Sequence, residues 1–302
     1  TDVVVADPSP DAERVAGEVL ANAIRVREQL GLPTDRLGRL RFASSIGEAV
    51  DRAMFVHEAV PERLELKATV LAAIEADAPA DAVIASSTSG FRPTALQAGL
   101  VHPERLVVAH PFNPVYLLPL VEIVAGSRTD PDTVTRTAAL VESVGMRPLV
   151  VRKEIDAFIA DRLLEAVWRE ALWLVDDGIA TTGEIDDAIR FGFGLRWAQM
   201  GLFETYRVAG GEAGMAHFIA QFGDALQWPW SRLTDVPELT DRLVDTIAEQ
   251  SDEQSGRHTI RELERIRDDN LAAILLALEK RSWGAGETLA AERRRNAMDE
   301  PA

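Results

Sequence analysis

The sequence predicts a doubly wound, Rossmann-like α/β domain with a mostly parallel sheet, followed by an all-α domain. Three observations carry that prediction. Up to about Arg152, short β-branched runs alternate with helical stretches, the order that builds a parallel sheet covered by helices. Beyond about Lys153 no strand run is convincing. There Phe158, Ile159, Leu163, Leu164, Val167, Trp168, Ala171, Leu172 and Val175 keep the 3–4 spacing of a long amphipathic helix. Finally, the first strand and the G-x-G-x-x-G turn that usually open such a sheet do not stand ahead of Val3. The expected division is a Rossmann-like domain over 1–153, incomplete at its start, and a helical domain over 154–302.

The elements follow in order. Val3–Ala6 reads as a short strand ended by Asp7-Pro8. Val15, Val19, Leu20, Ala23, Val26 and Leu30 mark a long helix that Gly31-Leu32-Pro33 stops. Arg41–Ala43 and Met54–Val60 read as strands around a short helix. Glu62–Asp77 reads as a helix, Ala82–Ser86 as a strand and Pro93–Leu100 as a helix. Leu106–Phe112 and Leu120–Ala125 are two further strands. Pro131–Val144 is a helix closed by Gly145, and Pro148–Arg152 is the last strand. Later helices are expected at 184–191, 212–222, 237–250 and 258–281. The charged, alanine-rich tail from 284 to 302 is expected to fray.

Val3–Pro8 looks like the second strand of a dinucleotide-binding sheet. Asp7 would then hold the adenosine ribose hydroxyls, which favours NAD over NADP. The first residue is Thr1, and an opening unit of about 25 residues is expected to be missing from this version. Without the backbone N–H donors of that turn, the chain as written is expected to bind NAD poorly.

Composition narrows the function. The net charge is −17, so nucleic acid is not an expected partner. No run approaches eighteen consecutive apolar residues, so no membrane span is expected. There is no cysteine, which removes disulfides, thiolate metal sites and thiol nucleophiles, and no metal is expected. A cysteine-free chain suits a reducing compartment, and a cytoplasmic location is expected. Lysine occurs only at Lys67, Lys153 and Lys280.

The chemistry centres on Leu106–Val124. One apolar run ends in His110, and a second holds a single carboxylate, Glu122. A carboxylate inside V-E-I-V is costly to bury without a partner, and a histidine is a fitting one. The imidazole could take a proton from a substrate alcohol while hydride leaves the same carbon, with Glu122 fixing the tautomer. Pro111 and Pro114 shape the turn that follows, and Asn113 offers an amide.

Ile84–Gly90 is a strand running into a hydroxyl-rich turn. Ser89 there is placed to bond a substrate hydroxyl or a nicotinamide, or to cap the next helix. Glu62 and Lys67 either contact a cofactor or decorate a helix start. Asp161 is an acidic residue in the first turns of the long helix, with Arg162 beside it. The helical half is rich in rings, Phe193, Trp197 and Tyr206 among them. These are core, or the walls of a cage for a quaternary ammonium.

Four motifs, S-S-T-S-G (Ser86–Gly90), H-P-F-N-P (His110–Pro114), L-V-E-I-V (Leu120–Val124) and F-I-A-D-R-L-L (Phe158–Leu164), together resemble the 3-hydroxyacyl-CoA dehydrogenase superfamily. The resemblance implies a catalytic His110 oriented by Glu122, with Ser89 at the substrate hydroxyl and Asn113 near the nicotinamide. It also implies Asp7, Glu62 and Lys67 around NAD. Acyl-CoA members carry Asn where this chain has Asp161, and the added negative charge disfavours an anionic acyl-CoA. His110–Glu122, Phe158–Leu172, Gly194–Ala198 and Gly210–Met215 are most similar to the branch that oxidises the 3-hydroxyl of L-carnitine. That implies a small zwitterionic substrate, Arg196 as a candidate for its carboxylate, and a homodimer formed through the helical domain. The competing readings are a relative acting on 3-hydroxyacyl-CoA or L-gulonate, and a non-catalytic protein that keeps the fold.

Overall fold

The length of each connection decides the direction of the strand that follows it. The computed structural model describes residues 1–35, 37–198, 201–209, 218–221, 231, 240–243, 246, 257 and 259–298. Its first half contains β1 (Val3–Val5), α1 (Ala12–Gln29), β2 (Leu40–Phe42), α2 (Ile46–Val50), β3 (Phe55–Glu58), α3 (Leu64–Asp77) and β4 (Val83–Ser86). It continues with α4 (Pro93–Leu96), β5 (Leu106–Pro111), β6 (Leu120–Ala125), α5 (Pro131–Ser143) and β7 (Arg147–Val151). Crossovers keep β3, β4 and β5 parallel, and β6 and β7 parallel to each other. Segment 112–119 is shorter than the dozen or so residues that a crossover needs. β6 therefore turns back antiparallel to β5, with His110 directly opposite Glu122.

A single sheet was the expectation, and the structure has two. β1 and β2 pair in parallel as their own ribbon, and β3 to β7 form the main sheet in sequential order. No ladder joins β1 to β3 among the described residues. α4 ends at Leu96 rather than Leu100, and the chain turns soon after through Gly99 at φ 87°.

β4, β5 and β6 are buried along nearly their whole length and read as continuous apolar runs, as strands covered on both faces do. Alternation divides their side chains. Ile84, Leu106, Val108 and Val124 pack with Leu71 and Ile74 of α3, Leu96 of α4 and Phe158. Val83, Ala85, Val107, Ala109, Val121 and Ile123 pack on the other side with Val141 of α5. His110 and Glu122 share the parity of the first set, so they point to the Phe158 side of the sheet.

The second half contains α6 (Ala160–Asp176), α7 (Thr182–Ala188), a π turn (Ile189–Phe193), α8 (Gly194–Trp197), α9 (Gly201–Ala209), α10 (Ile260–Glu279) and α11 (Gly286–Met298). Capping boxes open α7 (Thr181 with Glu184) and α10 (Thr259 with Glu262). The expected helices at 212–222 and 237–250 lie mostly outside the described residues, as does the Gly210–Met215 motif. The tail corrects the expectation of fraying, because residues 286–298 form a packed helix. Leu289 is buried against Val26 of α1 and against Ala272 and Leu275 of α10. Arg293 donates to the carbonyls of Leu30 and Gly31, the C-terminal end of α1, where a cation complements the helix dipole.

Candidate active site

The site begins with the strand pair. Glu122 on β6 is fully buried and His110 on β5 is 5% exposed. Nδ1 of His110 lies 3.2 Å from Oε2 of Glu122. The other carboxylate oxygen, Oε1, accepts the backbone N–H groups of Ile159 and Ala160, both at 3.0 Å. Those groups belong to the start of α6, whose first N–H groups have no partner inside the helix. Ala157 and Phe158 make that aim possible, since both adopt positive φ, 58° and 50°. Each such non-glycine conformation costs about 1 kcal/mol. The expected helix start at Phe158 is thereby displaced to Ala160. The turn buries the Phe158 ring 5.6 Å from the imidazole, and the Phe112 ring stands 5.0 Å away.

Burial alone would raise the pKa of Glu122. The hydrogen bonds from His110, Ala160 and Ile159 outweigh it and hold the carboxyl below its ordinary value. An ionised carboxylate only accepts, so Nδ1 carries the proton of that bond, and in the neutral imidazole the lone pair is then on Nε2. Nε2 faces Asp161, whose Oδ2 lies 3.7 Å away and whose side chain is 21% exposed. Asp161 sits above its ordinary pKa, because burial and the nearby Glu122 and Glu165 outweigh the attraction of His110. One imidazole is thus held between a buried, anionic acceptor and a more open carboxyl that binds protons more readily.

A second network supports the neighbouring strand ends. Lys67 is 1% exposed, and its ammonium reaches Oε1 of Glu58 at 3.0 Å, the Val60 carbonyl at 2.9 Å and Glu62 at 3.4 Å. All three donors therefore have acceptors within the protein. Glu58 also accepts from the Ser86 hydroxyl at 2.5 Å. Glu62 accepts from the Thr88 hydroxyl and from the Gly90 N–H, and these bonds with Lys67 hold its carboxyl low despite partial burial. Its side chain stays 43% exposed at the mouth of the S-S-T-S-G turn. Sequence reasoning missed Glu58 and Ser86. The signal was there in Lys67, Leu71 and Ile74, which share one buried face of α3. A lysine on an apolar stripe demands a buried anion.

The remaining expected residues are placed as follows. Ser89 is exposed just past the end of β4, and Asn113 is exposed just past β5. Asp7 is exposed beyond β1, where its Oδ1 accepts the Ser9 N–H at 2.8 Å. Phe193 and Trp197 lie with centroids 4.6 Å apart, and Arg196 is exposed between them in sequence. Tyr206 does not join them; it stacks on Phe218 at 4.6 Å. The structure thus gathers His110, Glu122 and Asp161 into one cluster, and Glu62 and Lys67 into another. The ring contacts recorded for Phe193, Trp197 and Tyr206 are with other rings of the helical half.

Both halves of the chain resemble known proteins. Residues 1–155 match the 3-hydroxyacyl-CoA dehydrogenase NAD binding domain, and residues 158–250 match the C-terminal domain of the same family. An L-carnitine dehydrogenase/betainyl-CoA thioesterase of Agrobacterium fabrum is 60% identical over 96% of this chain and 59% of that protein. The chain thus spans about three fifths of that relative's length. An L-carnitine dehydrogenase of Mesorhizobium japonicum is 59% identical over 94% of this chain and 80% of that protein. Among solved structures, an NAD+-dependent dismutase, 5-formyl-3-hydroxy-2-methylpyridine 4-carboxylic acid 5-dehydrogenase, superposes with a TM-score of 0.76. It is 31% identical and covers 92% of this chain and 90% of its own. With both halves matched in order and the strand-paired histidine and glutamate in place, the chain belongs to the 3-hydroxyacyl-CoA dehydrogenase family.

Proposed function

We propose that the chain is an NAD-dependent dehydrogenase that oxidises the 3-hydroxyl of L-carnitine to 3-dehydrocarnitine. The observation that carries this reading is the His110 imidazole, tied at Nδ1 to a buried, ionised carboxylate and facing the partly exposed Asp161 at Nε2. Nε2 accepts the hydroxyl proton as the C3–H bond breaks. Glu122 stabilises the imidazolium that results, and the fixed ring orientation avoids reorganisation during the step.

The residues present fit the adenosine ribose and the nicotinamide side of NAD. Asp7 offers an exposed carboxylate for a ribose diol, and Ser89 and Asn113 offer exposed polar groups past the ends of β4 and β5. In open α/β sheets, ligands sit beyond the carboxyl ends of the strands. When bound, NAD supplies the acceptor for the hydride. Ser89 then holds the substrate oxygen and Asn113 orients the carboxamide side of the site.

The substrate's trimethylammonium is matched by Asp161, and the Phe193–Trp197 pair offers ring faces that attract such cations. Arg196 is the candidate for the carboxylate. The name of the Mesorhizobium japonicum relative, L-carnitine dehydrogenase, and the carboxylate at position 161 both favour a cationic substrate over an acyl-CoA. NADH formation measured side by side with L-carnitine, a 3-hydroxyacyl-CoA and L-gulonate tests this. L-Carnitine should give the highest kcat/KM, and a preference for either other substrate overturns the assignment.

The same reading includes a homodimer through the helical domain. Its support is the apolar stripe of α6, where Leu163, Leu164 and Trp168 are each more than half exposed. Light scattering should find a dimer, and Trp168→Glu should weaken it. A monomeric wild type at working concentration would remove this part.

A further inference from the structure

The C-terminal hairpin reaches back to the loop that carries the catalytic turn. Segment 112–119 links His110's strand to Glu122's strand. Beyond Asn113 its side chains do not simply cover the sheet. Leu117 is buried in a cluster built by Val26, Leu30 and Leu32 of the α1 region, Ala272 and Leu275 of α10, and Leu289 of α11. Tyr116 packs at the edge of that cluster, and its hydroxyl donates to Oδ2 of Asp268 on α10 at 2.7 Å. Asp268 is 1% exposed and also faces Arg25 of α1 at 3.5 Å.

The hairpin is fixed to α1 on both helices. Arg25 and Gln29 donate to Asp269 at 2.6 and 2.8 Å, Arg27 pairs with Glu292 at 2.9 Å, and Arg293 donates to the end of α1. Neither matched family domain extends over α10 and α11.

We propose that Tyr116 and Asp268 are positioning residues for the reaction. In this account the α10–α11 hairpin clamps the 112–119 loop and thereby sets His110 and Asn113 against the bound reactants. Neither residue touches the reacting atoms. A loop of this length anchored only at its strand ends would leave Asn113 free to sway, and a misplacement of about 1 Å can cost up to a hundredfold in rate. The hydroxyl–carboxylate bond fixes the far side of the loop, and the buried Leu117 fixes its depth. This inference rests on the dehydrogenase reading for its kinetic consequence but not for its structural one.

The test compares Tyr116→Phe, Asp268→Asn and their double variant with wild type and with Glu292→Gln. The last loosens the same hairpin without touching the loop. Amide hydrogen exchange is read at Leu117 and Leu118, whose N–H groups donate to the Pro114 carbonyl. Exchange there should quicken in both single variants and stay near wild type in Glu292→Gln. The kcat for L-carnitine should fall by about tenfold or more in the first two. KM should stay near wild type, and the double variant should be no worse than the poorer single. Unchanged exchange at Leu117 and Leu118 overturns the clamp, as does an equal loss of kcat in Glu292→Gln. If the wild type forms no NADH from L-carnitine, the functional reading fails while the exchange result still decides the clamp.

Discussion

The β5–β6 hairpin and the aromatic group of the helical half differ in how their side chains are held. On the hairpin, Glu122 has three donors on two oxygens and His110 is enclosed by Phe112 and Phe158. In the helical half, Phe191 is 76% exposed, and Trp197, Arg196 and Tyr206 are also open to solvent. The pair proposed for the acid–base chemistry is built into the core, where its neighbours oppose misplacement. Among the described residues, the groups proposed to recognise the substrate are more exposed. Damage to the first region should therefore abolish turnover, and damage to the second should only reshape affinity.

The largest effect is expected from His110→Gln, which removes the base without opening a void. The kcat should drop by about 10²–10⁴-fold, while circular dichroism stays that of the wild type. Lys67→Met comes next, now on stability. Glu58 would be left buried without its cation, and urea unfolding should show a loss of about 3–5 kcal/mol. A loss under 1 kcal/mol would mean the pair is wetter than its burial indicates.

Asp161→Asn sharpens the comparison, because Asp161 stands between the two regions. Removing its charge should raise KM for L-carnitine several-fold, a loss on the scale of about 1 kcal/mol. It should leave a neutral 3-hydroxy acid nearly unaffected, and equal losses on both substrates would deny it a role in charge recognition. The pH dependence separates the same carboxylates. Glu122 has a lowered pKa in the folded protein, so its contribution to stability is present above its ordinary value of 4.5. It is lost as the pH falls through the lowered value. Asp161 has a raised pKa, so its sign is opposite: folding favours its protonated form, and its penalty fades as the pH falls through that raised value. In denaturant titrations carried from pH 7 to well below pH 4.5, Glu122→Gln should flatten the acid-side loss of stability and Asp161→Asn should steepen it. The smallest effect is expected from Trp197→Ala, a change of a few fold in KM with kcat retained.

Much of the hairpin was legible in the sequence because its physics is local. Two apolar runs flank a segment too short for a crossover, and a carboxylate in one run needs a partner in the other. That is enough to bring residues 110 and 122 together. The role of Asp161 as a neighbour of Nε2 was not legible, because it depends on a left-handed turn at Ala157 and Phe158 that no residue there advertises. Arg162, the nearer candidate in sequence, donates to the Asp156 carbonyl instead. Likewise the tail looked polar and frayed, since its single buried leucine gains meaning only against α1 and α10. Lys67 was read as a cofactor contact or a decoration of the helix start, and its spacing with Leu71 and Ile74 on α3 already pointed to its burial.

The central claim is that the strand-paired imidazole of His110 removes the hydroxyl proton of L-carnitine. It is tested most directly by NADH formation from saturating L-carnitine and NAD by wild type and His110→Gln. The account predicts residual turnover in the variant that is at least a hundredfold lower than in the wild type. Wild-type-like turnover in His110→Gln would contradict it.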